Sequence, residues 1–235
     1  MNLRRTLLDL VQPWPIPERE GKRSVIMHPA DVRPTARIID LALAAASRAR
    51  ELHFDSPVFS RYPLFNVWPG QHYRFPAGLV AELQPRLIVE IGTFTGLSSL
   101  AMRSQLPAGG RIVTFDLVPW DQIQTTALTP ADFQDGGMEQ RITNLMEWPG
   151  IEENRSLLEN ADFIFIDAAK DGSGERILLE HFRKLNFKNK PILAFDDIRL
   201  WKMLQIWDEI PEPKMDVSSF AHWTGTGLVD WPASN

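Results

Sequence analysis

The chain has 235 residues, a formal net charge of −5 and no cysteine. The absence of cysteine excludes disulfides, thiolate metal ligands and cysteine nucleophiles, and the acidic balance without a basic run argues against nucleic acid or a membrane surface as partner. The apolar content of 44% fits an α/β domain with a substantial core. At the start of the chain, Asp9 interrupts a short apolar stretch that is too weak for a signal peptide or a membrane span, so we expect a cytoplasmic protein.

The first regular element follows a proline-rich lead-in. Apolar residues recur at three- and four-residue spacing between Ile38 and Leu52, which predicts an amphipathic helix. After an aromatic-rich connection with several prolines, a second helix is expected over 77–83. We interpret residues 1–60 as an N-terminal helical extension of the same domain, and residues 61–235 as its main part.

Short apolar runs alternate with helical segments in the rest of the chain. The runs predict strands at 87–91, 111–115, 141–145, 162–166, 191–195, 215–220 and 225–230. Helices are expected over 97–101, 151–158, 175–185 and 200–208. Alternation of this kind is typical of a parallel sheet with helices on both faces. The pattern therefore predicts one doubly wound, Rossmann-like α/β domain.

The loop after the first of these strands is rich in glycine and has the sequence Glu90-Ile91-Gly92-Thr93-Phe94-Thr95-Gly96. It lacks the middle glycine of a dinucleotide fingerprint, which argues against a nucleoside-binding oxidoreductase. Asp116 closes the second strand and can accept hydrogen bonds from two ribose hydroxyls, and Glu90 is placed to receive an amino group. S-adenosylmethionine has both groups and no pyrophosphate. A simple turn-capping role for the two acids is the alternative.

Aspartates follow two further predicted strands. Asp167 comes after the fourth strand, and Asp196 and Asp197 come after the fifth. If these strands are parallel neighbours, three carboxylates meet at one edge and favour a hard divalent cation, Mg²⁺ or else Ca²⁺ or Mn²⁺. The five histidines lie far from these aspartates in the sequence, so zinc is not expected. The alternative is that each aspartate caps a helix. Lys170 lies on the same loop as Asp167 and can take or stabilise the proton of a coordinated hydroxyl.

Three segments carry a family resemblance: the run Glu90 to Ser98, the run Phe165-Ile166-Asp167-Ala168-Ala169-Lys170, and Phe195-Asp196-Asp197. They resemble the cation-dependent class I S-adenosylmethionine O-methyltransferases, which include the catechol and caffeoyl-CoA enzymes and bacterial natural-product relatives. Over about 70–230 the resemblance implies a seven-stranded sheet whose last strand is antiparallel. It also implies methyl transfer to a hydroxyl of a small organic acceptor. Catechol-type members usually have Asn in place of Asp197, which weakens the expectation of a catechol or phenylpropanoid substrate.

The resemblance also implies roles for single residues. Lys170 would be the catalytic base. The metal ligands would be Asp167, Asp196 and Asp197. The cofactor would be bound by Glu90, Gly92, Thr93, Gly96, Ser98, Asp116, Glu147 and Asp167, with Glu90 and Gly92 at the methionine part, Asp116 at the ribose and Glu147 at the adenine.

Other features are compatible with this function without deciding it. Trp68, Trp120 and Trp201 are candidates for an apolar acceptor pocket, and His222 is a candidate for a second base. Two other functions remain open, namely metal-independent methyl transfer to nitrogen or carbon and a non-catalytic nucleoside-binding module. A homodimer is compatible with the sequence.

Overall fold

A computed structural model of the chain describes residues 34–54, 57–62, 72–221 and 223–232. Its helices are Ala36–Glu51 (α1), Pro57–Ser60 (α2), Arg74–Leu83 (α3), Leu97–Arg103 (α4), Trp148–Glu159 (α5), Gly174–Phe182 (α6) and Met203–Glu209 (α7). Its strands are Leu87–Ile91 (β1), Arg111–Asp116 (β2), Met138–Ile142 (β3), Phe163–Ile166 (β4), Ile192–Asp196 (β5), Lys214–Asp216 (β6) and Thr226–Asp230 (β7). None of the helices in these ranges is both long enough and apolar enough to cross a membrane.

All seven strands form one sheet in the order β3-β2-β1-β4-β5-β7-β6. Strands β1 to β5 pair in parallel, and β7 runs antiparallel to both β5 and β6. The chain moves outward from β1 to β3 and then returns to place β4 on the other side of β1. Ligands of doubly wound sheets bind at such a reversal, outside the carboxyl ends of the strands. The predicted sheet, including its antiparallel last strand, is confirmed.

Helices cover both faces of the sheet because the central strands are apolar on both faces. Every residue of β1 and β4 is buried. Alternate residues point to opposite faces, so Val89 and Ile164 pack in one core with α5, α6 and α7. Ile88 and Phe163 pack in a second core with α1 and α3. The continuous apolar run of β4 therefore marks a strand at the centre of the sheet.

Helix α1 is the longer of the two described helices of the predicted N-terminal extension. The side chain of Thr35 caps it by accepting a hydrogen bond from the backbone of Ile38 at 3.3 Å. Its buried face includes Ile38 and Ala45, which belong to the same core as the sheet. The lead-in before Pro34 lies outside the described residues, and the assignment of residues 1–60 to the same domain stays a prediction there.

Several element boundaries differ from the sequence-based expectation, and three of them have a clear local cause. Strand β3 ends at Ile142, because the side chain of Asn144 accepts the backbone N–H of Met146 at 3.0 Å and forms a turn where the predicted strand would continue. Strand β6 ends at Asp216, whose carboxylate accepts the backbone N–H of Ser218 at 2.9 Å. Helix α3 begins at Arg74 and accommodates Pro76 in its first turn, where proline is tolerated.

Candidate functional site

The glycine loop after β1 packs directly on the backbone that follows β4. Gly92 has φ of +104°, and a Cβ atom built there would lie 2.1 Å from the carbonyl oxygen of Asp167. The backbone N–H of Gly92 donates to Phe115 at 2.8 Å, and that of Asp167 donates to Ile91 at 2.9 Å. Position 92 therefore requires glycine for both its conformation and its close contact.

Asp116 accepts hydrogen bonds from four backbone amides, two in this loop and two directly after β2. One carboxylate oxygen accepts from Thr93 and Phe94, each at 2.9 Å. The other accepts from Leu117 at 2.7 Å and Val118 at 3.2 Å. The structure thus gives Asp116 a loop-shaping role, and the predicted ribose contact would use the same carboxylate.

Glu90 is fully buried beneath the loop. Ser98 donates to one of its carboxylate oxygens at 2.6 Å, and Ser99 donates to the other. Burial raises the pKa of Glu90 to about 7, although the hydrogen bonds from Ser98, Ser99 and Thr114 oppose the change. Glu90 therefore ties the first turn of α4 to β1, and its predicted contact with the amino group stays a prediction.

A cavity of about 290 Å³ opens at the carboxyl ends of β1, β2 and β4. Of the predicted cofactor residues, Gly92, Asp116 and Asp167 line it. Its far wall is the loop 143–146, where the sequence pattern predicts a strand as far as 145. Glu147, the predicted adenine contact, is exposed and accepts a hydrogen bond from Asn144 at 3.0 Å.

Three other predicted cofactor residues lie outside the lining of this cavity. Thr93 is buried, and its hydroxyl lies 2.7 Å from that of Thr114. Gly96 precedes α4 in the left-handed conformation with φ of +77°, and Ser98 is buried against Glu90. These residues help to set the conformation of the glycine loop. Their direct contact with the cofactor stays a prediction.

The three predicted metal ligands lie together. One carboxylate oxygen from each of Asp167, Asp196 and Asp197 lies within 4.8 Å of the other two. Asp196 and Asp197 are buried, and Asp167 is partly exposed. Burial and the charge of Asp196 raise the pKa of Asp167 to about 6, although Lys170 lowers it. The parallel register explains why Asp167 and Asp196 are close. Ile166 pairs with Phe195, and an aspartate comes directly after each of these two residues.

Lys170 supplies positive charge to the cluster. Its Nζ lies 2.8 Å from a carboxylate oxygen of Asp167 and also contacts Asp197. Burial acts to lower the pKa of Lys170, but the charges and hydrogen bonds of the two aspartates outweigh it and raise the pKa above its ordinary value. Lys170 and Asp197 both have positive φ, at 58° and 56°, a strained conformation that is often found at functional sites.

Glu175 is a residue of this region that sequence analysis missed. It is fully buried in the first turn of α6, and its carboxylate accepts the backbone N–H groups of Lys170 and of Gly172, the latter at 3.1 Å. An acidic residue in the first turn of a helix is well placed to accept backbone N–H groups near the N-terminus of that helix. Glu175 holds the backbone that presents Lys170 to the aspartates.

A second missed residue is His72, which precedes α3. Its Nε2 lies 3.4 Å from a carboxylate oxygen of Asp196, and its side chain is 21% exposed. Its ring stacks on that of Tyr73, with centroids 4.2 Å apart and planes 12° apart. Burial acts to lower the pKa of His72, but the hydrogen bond to Asp196 and the charges of the three aspartates raise it overall. The large sequence separation concealed this contact from sequence analysis.

The loop that begins at Asp197, directly after β5, is tied to the antiparallel end of the sheet. Arg199 donates its backbone N–H to Thr224 at 2.9 Å. Its guanidinium group donates twice to one oxygen of buried Asp216, at 2.8 and 3.1 Å. The strands β6 and β7 thus help to position the aspartates at the carboxyl end of β5.

The candidate acceptor residues differ in their surroundings. Trp201, in the loop after Asp197, is 74% exposed. Trp120 stacks on Phe133, with ring centroids 5.2 Å apart, and packs against the core. Trp68 and His222 lie outside the described residues. Trp201 is therefore the candidate that is open to a ligand on the described surface.

Comparison with known proteins identifies a family and two curated relatives. Residues 70–219 match the model of the O-methyltransferase family. The chain is 32% identical over 124 residues to O-methyltransferase ankF of Aspergillus thermomutatus, covering 52% of this chain and 50% of that protein. It is 27% identical over 109 residues to catechol O-methyltransferase B of Danio rerio, covering 45% and 35%. The chain thus spans about half or less of the length of these curated relatives.

The fold also has a counterpart among solved structures. The O-methyltransferase from Bacillus cereus, whose structure was solved in complex with SAH, has a TM-score of 0.52 to this chain. The match covers 85% of this chain and 92% of that chain at 21% identity. At this level of identity the likeness shows a common fold.

Proposed function

The chain belongs to the O-methyltransferase family, and from this premise we propose that it transfers a methyl group from S-adenosylmethionine to a hydroxyl of a small organic molecule with the help of a divalent cation. The observation that carries the proposal is the position of Asp167. This residue lines the cavity beside the glycine loop and also belongs to the carboxylate cluster. A cofactor in that cavity and an ion at that cluster would therefore be neighbours.

We assign the cavity to the nucleoside part of the cofactor. Gly92 presents backbone without a side chain, and Asp116 presents a carboxylate at the end of β2. The cavity walls carry apolar side chains such as Phe115 and Leu145 next to these polar groups. A mostly apolar wall with a few placed polar groups is typical of sites for small ligands.

The carboxylate cluster has the donor set for a hard divalent cation. Asp167, Asp196 and Asp197 offer only oxygen, the ligand type preferred by Mg²⁺ and Ca²⁺, and they converge within 4.8 Å. We propose that these three residues hold the ion, with Mg²⁺, Ca²⁺ or Mn²⁺ as candidates. A bound ion of this kind would orient the acceptor hydroxyl and lower its pKa.

In the proposed transfer the acceptor hydroxyl would give up its proton, and its oxygen would form a C–O bond with the methyl carbon. The C–S bond of the sulfonium would break at the same time and leave neutral S-adenosylhomocysteine. The chain contributes chiefly by holding the two molecules in line. Lys170 Nζ contacts Asp167 and Asp197. We assign to it one of two roles: it accepts the hydroxyl proton, or, as an ammonium group, it stabilises the acceptor oxygen while the proton passes to water.

The experiment uses the full chain with S-adenosylmethionine and a panel of phenols, sugars and aliphatic alcohols. Mass spectrometry detects S-adenosylhomocysteine and the methylated product. We expect turnover of at least one hydroxylated compound, loss of turnover with EDTA, and recovery on addition of a divalent ion. Turnover of these hydroxyl compounds that EDTA leaves unchanged would show methyl transfer without a cation and would contradict that part of the proposal. Cofactor binding without product for any compound would favour the non-catalytic module.

A further inference from the structure

Gln140 lies on β3 and binds two loops of the proposed cofactor site with one amide group. Its Oε1 accepts the backbone N–H of Trp120 at 2.9 Å. Its Nε2 donates to Thr93 Oγ1 at 3.1 Å and to the carbonyl oxygen of Val118 at 3.3 Å. The backbone N–H of Trp120 can only donate, so the orientation of the amide follows from its neighbours. Gln140 therefore joins the glycine loop to the loop after β2.

These two loops form one side of the cavity. Gly92 and Leu117 line it, and each is the direct neighbour in sequence of a residue that Gln140 contacts. Asp116 also joins the two loops, but its carboxylate is the predicted ribose contact. Gln140 lies outside the residues that line the cavity, so its hydrogen bonds do not compete with a ligand.

Two hydroxyl groups connect Gln140 to buried Glu90. Thr114 is the partner of Gln140 in the parallel register of β2 and β3, so both side chains are on the same face of the sheet. The hydroxyls of Thr93 and Thr114 lie 2.7 Å apart, and Thr114 is hydrogen-bonded to Glu90. When Glu90 is ionised, as the binding of an ammonium group requires, its carboxylate only accepts hydrogen bonds. Thr114 then donates to Glu90 and Thr93 donates to Thr114, which leaves the oxygen of Thr93 to accept from Gln140.

We propose that Gln140 is a positioning residue for the cofactor: it holds the two loops at the nucleoside end, and through Thr93 and Thr114 it orients the carboxylate at the methionine end. That carboxylate is Glu90, the predicted contact of the ammonium group. This inference rests on the proposed function, which supplies the cofactor. Gln140 acts on the cofactor only through these neighbours.

The test measures the binding of S-adenosylmethionine and of methylthioadenosine to the full chain by isothermal titration calorimetry. Methylthioadenosine keeps the adenine and the ribose but lacks the amino acid part, so it reports on the nucleoside end alone. Gln140→Met keeps a side chain of similar length without its hydrogen bonds. We expect this variant to bind S-adenosylmethionine about tenfold or more weakly, and methylthioadenosine about threefold more weakly.

The matched control is Gln205→Met, in which an exposed glutamine of α7 loses a hydrogen bond of 2.8 Å to Glu209. This variant should bind both compounds like the wild type. Thermal melting without ligand checks that each variant is folded. If Gln140→Met fails to fold, Gln140→Glu replaces it, because glutamate keeps the acceptor for Trp120 but offers no donor when ionised. The same two changes in affinity are expected there.

Equal losses for the two compounds would place Gln140 at the nucleoside end alone and overturn its proposed link to Glu90. Unchanged affinity for S-adenosylmethionine would overturn the whole inference, while the proposed function would stand. Failure of the wild type to bind S-adenosylmethionine would overturn both.

Discussion

Gly92 and Asp167 touch through their backbones, so that a Cβ at position 92 would lie 2.1 Å from the Asp167 carbonyl oxygen. The contact joins the glycine loop to the start of the loop that carries Lys170. Asp167 in turn lines the cavity and belongs to the carboxylate cluster. One packing contact therefore sets the relative position of the proposed cofactor and ion sites.

Substitution of Gly92 by alanine should lower both stability and cofactor binding. The residue has φ of +104°, and its Cβ would meet backbone that must shift. We expect the free energy of unfolding to fall by about 3 kcal/mol or more, measured by chemical denaturation. The matched control is Gly109→Ala, because Gly109 also has positive φ, at +76°, but a Cβ there would meet nothing within 4 Å. That variant should lose about 1 kcal/mol, and equal losses in the two variants would refute the role given to the contact.

Removal of the Arg199 side chain should destabilise the chain far more than removal of an exposed arginine. Arg199→Met removes the guanidinium group that forms an ion pair with Asp216, which is 3% exposed, and we expect a loss of about 3 kcal/mol in the free energy of unfolding. Arg176 makes an ion pair of the same length with Glu209, 2.8 Å, but both side chains are more than 40% exposed. Arg176→Met should therefore cost less than about 1 kcal/mol. Similar losses in thermal or chemical denaturation would contradict this assignment.

Glu90 should make stability depend on pH. Its folded pKa is raised to about 7 from an ordinary value of 4.5, so the folded chain binds the proton more tightly than the unfolded chain. The stabilisation from protonated Glu90 is present below pH 4.5 and is lost as the pH rises through 7. Relative to Glu90→Gln, the wild type should lose roughly 3 kcal/mol between pH 4 and pH 8. A difference in unfolding free energy that does not change over this range would show that Glu90 titrates normally.

Two substitutions of Lys170 separate its candidate roles. Arginine keeps the positive charge beside Asp167 and Asp197 but does not accept a proton at neutral pH, whereas methionine loses the charge as well. If Lys170 accepts the hydroxyl proton, we expect both variants to lose turnover by a factor of about 100 or more. Substantial turnover in Lys170→Arg alone would assign the residue to electrostatic stabilisation. Full turnover in Lys170→Met, measured as S-adenosylhomocysteine formation, would exclude both roles.

The sheet and the aspartate cluster could be predicted from sequence because both follow from local pattern. A continuous apolar run such as β4 indicates a central strand. Asp167 and Asp196 come directly after Ile166 and Phe195, which pair in the parallel register of β4 and β5. His72 could not be predicted, because its contact with Asp196 depends on how α3 packs against the sheet. The end of β3 was also predicted wrongly. Apolar Leu145 extends the apolar pattern of the strand, but the turn formed by Asn144 lies beyond the true end of β3 at Ile142.

Mn²⁺ binding to the full chain tests the proposed ion site most directly. The loss of the free-ion signal in electron paramagnetic resonance measures this binding. The wild type and the control Asp40→Ala, changed at an exposed position of α1, should each bind one ion at this site. Asp196→Ala should bind it at least about tenfold more weakly. If Asp196→Ala binds Mn²⁺ as tightly as the wild type does, this result contradicts the claim that the three aspartates hold the ion.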